Sequence, residues 1–151
     1  MSNPQDSGAA SLQARAGPTI GQPPAGPRVV LVDDDEDILD VLNIIFTDDG
    51  FRTVPCTTHE EAIEALRAQP ADLLVTDLRL AGSDGLDLIR FAHSLRPQPP
   101  NVILLTAVRL SSAEATLSAL QTVGAQVVNK PFDIDQLIGV ARHVTGWPGN
   151  N

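Results

Sequence analysis

The chain has 151 residues, enough for one domain and short for two. Apolar residues make up 42 % and aromatic residues 3 %, with no tyrosine, so a core must be built from Val, Leu, Ile and Ala. A net charge of −9, from 19 acidic and 10 basic residues, argues against a nucleic-acid-binding surface, which needs clustered Lys and Arg.

Residues 1–27 are rich in Pro, Gly, Ala, Ser and Gln, with Leu12 and Ile20 as their large aliphatic residues. Such a segment cannot offset its ordering entropy by burial, so a disordered tail is expected. From Arg28 the character changes. "RVVLV" (28–32) is a β-branched apolar run that ends in acids, and "FRTVPC" (51–56) alternates. "ADLLVT" (71–76) and "NVILLT" (101–106) are continuously apolar, and "AQVVN" (125–129) is short and partly so. Runs of this kind suit strands buried on both faces of a parallel sheet.

Helical patterns fill the intervals. After "DDDED", Ile38, Leu42 and Ile45 share a face, with Leu39 and Phe46 beside them. "TTHEEAIEALRAQ" has the capping-box spacing Thr58–Glu61, and "SSAEATLSALQTVG" repeats it as Ser111–Glu114 before Gly124. "SDGLDLIRFAHSLR" runs to Pro97. "FDIDQLIGVARHVTG" places Ile134, Leu137, Ile138 and Ala141 together, and "GWPGNN" reads as a helix stop with a short frayed end (146–151), Trp147 packing the last helix.

Strict alternation of five strands and five helices over 28–145 predicts an α/β domain with an open, doubly wound, five-stranded parallel sheet. Pro55 belongs on an edge strand because it cannot donate to a ladder, which fits the strand order 2-1-3-4-5. Ligands in such sheets sit beyond the carboxyl ends of the strands.

Those ends carry Asp33-Asp34, Thr76-Asp77, Thr106-Ala107 and Lys130-Pro131. Carboxylates gathered there repel one another and call for a cation, and Mg²⁺ is the economical choice because it needs few carboxylates and keeps several waters. Asp35, Glu36 and Asp37 read as charge at a helix N-terminus. Lys130 is the one lysine in a chain with nine arginines. A compact ammonium on a flexible stem can follow a moving oxygen, whereas a guanidinium fork prefers a fixed bidentate geometry.

The stretches "VLVDDDEDIL", "DLLVTDLRLAGSDGLDLI", "VILLTA" and "NKPF" resemble the receiver domain of two-component response regulators, from Arg28 to about Thr145. The resemblance implies the flavodoxin-like receiver fold. It implies that Asp77 accepts a phosphoryl group from a phosphohistidine of a histidine kinase or histidine phosphotransfer protein. It assigns Asp34 and Asp77 as direct Mg²⁺ ligands, Asp33 as one acting mainly through water, and the backbone carbonyl of Arg79 as the remaining protein ligand. Thr106, the backbone of Ala107 and Lys130 would bind the phosphoryl oxygens, and the Lys130–Pro131 bond would be cis. The aromatic switch position is Val127, so a Thr–aromatic switch in its usual form is not expected.

Output is expected through binding a downstream target, or a second copy, on the face of helix four, strand five and helix five. Leu117, Leu120 and Val140 either face the core or leave apolar area on that face. Two other readings stand beside this one. A degenerate receiver would act as a phosphorylation-independent scaffold. An aspartyl-phosphate phosphatase would want an acid two residues after the nucleophile, where Arg79 stands, so a turnover enzyme is not expected. A lone Cys56 excludes an internal disulfide, and neither a secretory signal nor a long apolar run stands out, so a cytoplasmic protein without membrane insertion is expected.

Overall fold

The computed structural model describes residues 26–80, 83–107 and 114–150. Five parallel strands, β1 (Arg28–Val32), β2 (Arg52–Cys56), β3 (Leu73–Asp77), β4 (Asn101–Thr106) and β5 (Gln126–Asn129), form one sheet in the order β2-β1-β3-β4-β5. The helices α1 (Glu36–Asp48), α2 (His59–Ala68), α3 (Gly85–His93), α4 (Glu114–Val123) and α5 (Ile134–Thr145) alternate with them. This is the expected doubly wound topology.

Side-chain alternation along the strands splits the core into two layers. Val30, Val32, Leu74 and Leu104 face α2, α3 and α4, where Leu66, Leu88, Ile89 and Leu120 complete the packing. Val29, Leu31, Val75 and Leu105 face the opposite layer, with Leu42 and Phe46 of α1 and Leu137 and Ala141 of α5. Every residue of β1 is buried, which is why its run shows no polar alternation. The flanking strands β2 and β5 are mostly exposed or half-buried, as edge strands are.

Local chemistry sets the helix ends. Asp35 caps α1, its side chain accepting from the N–H groups of Asp37 and Ile38. At α2, Thr58 accepts from the Glu61 N–H at 3.1 Å, but the reciprocal arm goes to Thr57, whose N–H donates to Glu61 at 2.8 Å. The Ser111 half of the other expected box lies outside the described residues. Gly124 and Gly146 close α4 and α5 with φ of 71° and 75°, a conformation that costs glycine little.

Three expectations change, and one open question narrows. The buried stripe of α1 is Leu39–Leu42–Phe46, while Ile38 and Ile45 are half-buried, and Phe46 meets Phe51 edge-on. Ile134 opens α5 and stays 48 % exposed, while Leu137 and Ala141 of that stripe are buried and Ile138 is half-buried against the same core layer. Of the residues with two readings, Leu120 is buried, Val140 is half-buried against the core, and the side chain of Leu117 lies outside those described. The described part of the C-terminal segment, through Asn150, is packed down and not frayed. The Trp147 indole N–H donates to the Asp49 carbonyl at 2.8 Å, and its ring meets Phe51. Arg142 pairs with Asp49, and Asn150 donates to the Asp48 carbonyl.

Gly26 and Pro27, the end of the expected tail, are tied to the domain, for the Gly26 N–H donates to Gly50 and the Arg52 N–H to Pro27; the rest of that expected tail, residues 1–25, lies outside the described residues. Arg28 itself is buried and donates to the carbonyls of Gln69 and Ala65, satisfying the orphan end of α2. Among the described residues, no helix is long and apolar enough to cross a membrane.

Candidate functional site

The register of the sheet brings the strand ends to one rim. Val32 of β1 lies beside Thr76 of β3, Asp77 beside Leu105 of β4, and Thr106 beside Asn129 of β5. One residue past β1, the Asp33 N–H still donates to the Cys56 carbonyl at 3.1 Å, so Asp33 is held as firmly as a strand residue. Its side chain is buried, at 1 % exposure for the residue.

Three charged groups meet there. The Lys130 ammonium donates to Asp77 Oδ2 at 2.7 Å and to Asp33 Oδ2 at 2.9 Å. The second oxygen of Asp33 accepts from the Asp35 N–H at 2.9 Å. Burial by itself would lower the Lys130 pKa, but the hydrogen bonds it donates to the two carboxylates and their charges outweigh it and raise the value. Lys130 is held from behind as well, its N–H donating to the Thr106 carbonyl at 2.8 Å, and the Lys130–Pro131 bond is cis. Thr76 secures the backbone at Asp77, its hydroxyl donating to the Asp77 carbonyl at 3.1 Å.

The remaining expected residues fall around this trio. Asp34 is exposed next to Asp33, Thr106 is fully buried, and Ala107 is exposed beyond it. Arg79 lies two residues past Asp77 in a short antiparallel ladder, Arg79–Leu80 against Ser83–Asp84, which delays the start of α3 to Gly85. Val127 is on β5 and 38 % exposed. Among the described residues no three carboxylate, imidazole or thiol groups close on one point as a ready metal cage. The donor set at the rim is nonetheless all oxygen (three carboxylates and main-chain carbonyls). It fits a hard ion that retains water, and not a soft or borderline metal.

The residues and spacing that meet at this rim are those of a known family. The profile described as response regulator receiver domain matches residues 29–142. The chain belongs to the response regulator receiver domain family. Among curated proteins, this receiver domain is 37 % identical over 113 residues to the "DNA-binding transcriptional regulator NtrC" of Klebsiella pneumoniae, covering 73 % of this chain and 23 % of that protein. It is 33 % identical over 110 residues to the "Response regulator protein PilR" of Pseudomonas aeruginosa, covering 73 % and 24 %. The receiver thus spans about a quarter of the length of the curated relatives it matches. Among solved structures it is similar to the non-phosphorylated HemR receiver domain of Leptospira biflexa, with TM-score 0.70, 27 % identity, and coverage of 80 % and 94 %. The receiver domain of the Francisella response regulator 1452 gives TM-score 0.67, 27 % identity, and coverage of 80 % and 98 %.

Sequence reasoning about this receiver missed the role of Asp35, taken only as helix-terminal charge. Its side chain caps α1 while its N–H orients Asp33. The signal was present, since an Asp followed by two acids at the head of an amphipathic run is an N-cap signature. The second bond of Lys130, to Asp33, was also not anticipated.

Proposed function

We propose that Asp77 takes a phosphoryl group from the phosphohistidine of a histidine kinase or a histidine phosphotransfer protein. One observation carries this reading: the ammonium of Lys130 bridges the Asp77 and Asp33 carboxylates at the rim of the sheet. An Asp77 oxygen attacks phosphorus, the N–P bond breaks, and its electron pair returns to the imidazole nitrogen. Lys130, already 2.7 Å from the acceptor carboxylate, is placed to move its charge onto an incoming phosphoryl oxygen. Because its main chain is tied to Thr106, the ammonium can swing without the loop shifting. The Thr106 hydroxyl and the Ala107 N–H would complete binding of the phosphoryl oxygens.

Receivers as a family are generally Mg²⁺-dependent, and here Asp34, Asp77, the Arg79 carbonyl and, through water, Asp33 would hold the ion. What the ion supplies when bound is neutralisation and alignment of the phosphoryl oxygens.

The protein acts as an acceptor and not a turnover enzyme, since Arg79 stands where a general acid would be needed. It works in the cytoplasm, and output is by binding a protein target or a second copy through α4, β5 and α5, where Val127 and Ile134 expose apolar surface. The acidic composition gives these residues no nucleic-acid surface of their own; DNA binding is named for the much longer relative.

A second reading, a phosphorylation-independent scaffold, is favoured by one feature, the exposed Val127 in place of an aromatic. Incubation with acetyl phosphate and Mg²⁺ followed by intact mass separates the two. Gain of one phosphoryl group, absent in Asp77→Asn, supports the acceptor; no gain from any donor supports the scaffold.

A further inference from the structure

Gly85 packs where no side chain fits. A Cβ built on it would lie 2.5 Å from the Leu78 carbonyl oxygen, 2.6 Å from the Asp77 carbonyl oxygen and 2.9 Å from the Leu78 carbonyl carbon. These are main-chain atoms, so they cannot swing aside as a flexible side chain would. The Gly85 N–H also donates to the Leu78 carbonyl at 2.8 Å. Unlike Gly124 and Gly146, Gly85 is not in the left-handed region, so the requirement is space and not backbone conformation. The antiparallel pairing of Arg79 with Asp84 and of Leu80 with Ser83 brings the chain back to this point.

We infer that Gly85 is a positioning residue for the acceptor site. It clamps the two peptide units that follow Asp77, and so sets both the acceptor carboxylate and the Arg79 carbonyl. This deepens the proposed function and rests on that reading. The two carbonyls that Gly85 touches bracket Leu78. Through them, displacement passes one way to the Asp77 side chain, 2.7 Å from Lys130, and the other way to Arg79. Relieving a 2.5 Å contact to the 3.0 Å floor of real Cβ contacts requires a shift of about half an ångström. Misplacement on that scale is expected to slow an aligned transfer about tenfold.

The test compares wild type, Gly85→Ala and Gly139→Ala. The last is a matched control, because a Cβ at Gly139 meets nothing within 4 Å. Thermal unfolding establishes that each is folded. Calorimetry with Mg²⁺ alone gives metal affinity, and acetyl phosphate labelling at saturating Mg²⁺ gives the transfer rate. Metal-free amide spectra report on Leu78 and Arg79. Folded Gly85→Ala is expected to bind Mg²⁺ and label about tenfold more poorly, with both amides shifted, while Gly139→Ala matches wild type. Should Gly85→Ala not fold, hydrogen exchange on wild type replaces it: the Gly85 amide should gain about fivefold protection when Mg²⁺ binds, and an unchanged rate overturns the inference. A folded Gly85→Ala within twofold of a wild type that binds and labels overturns this inference alone. A wild type that does neither overturns the reading of the site and this inference together.

Discussion

Lys130 and Asp33, 97 positions apart in the chain, are joined by a hydrogen bond of 2.9 Å in which the lysine is shared with Asp77. The one ammonium is therefore shared by two carboxylates and offsets only part of their charge, and Asp33 is the more deeply buried of the two. The raised pKa of Lys130 means that this pairing is fully present below the ordinary lysine value of 10.5 and is lost as pH rises through the folded value.

Removing that charge leaves Asp33 buried against an acidic neighbour. Lys130→Ala is expected to lose about 2 kcal/mol of stability at neutral pH, less than for a fully buried pair because the lysine side chain is 15 % exposed. Added Mg²⁺ should raise its melting temperature more than that of wild type, since a divalent ion then relieves carboxylate repulsion. Equal Mg²⁺ responses in the two proteins would count against this electrostatic account.

Asp35→Ala removes the cap of α1, and urea unfolding should show a loss of about 1 kcal/mol. Asp35→Asn and Asp35→Ser should recover most of it, because both can accept from the same N–H groups. A loss that neither repairs would point to charge and not capping.

Trp147→Ala should cost about 2 kcal/mol, as a half-buried ring, its contact with Phe51 and its hydrogen bond to Asp49 are lost together. Trp147→Phe keeps the ring contact and should lose less. Because Trp147 is the one tryptophan, its fluorescence reports directly on whether the C-terminal segment is docked, and an emission maximum unchanged by unfolding would contradict the packing.

Burial, with Glu61 adding to it, pushes the Cys56 thiol up to about 11. A thiol whose folded value is raised keeps its proton while the unfolded chain ionises, so stability should decline between the ordinary 9.0 and about 11. In Cys56→Ala that part of the alkaline decline should be missing. Wild type at pH 8 should also resist alkylation until denaturant is added.

Val127→Tyr places the missing aromatic on an exposed position of β5 and should change stability by no more than about 0.5 kcal/mol. If the receiver's output depends on such a ring, binding of a target or a second copy should become phosphorylation-dependent in the variant. A loss well above that range in the melting curve would mean that Val127 is packed more tightly than its exposure indicates.

Much of this protein is readable locally. The apolar runs of β1, β3 and β4, the proline in β2 and the caps at Asp35 and Thr58 are short-range patterns, because a strand buried on two faces or a helix start needs particular residues within a few positions. The strand-end acids and Lys130 were visible for the same reason. What the fold alone decided is which groups touch. Lys130 reaches Asp33 as well as Asp77, α1 buries Phe46 against Phe51, and the Trp147 indole bonds the Asp49 carbonyl. A hairpin takes the chain that a helical pattern would claim, so that Gly85 can sit against main-chain carbonyls. Those outcomes depend on distances between residues far apart in sequence, which periodicity does not encode and only the packed sheet supplies.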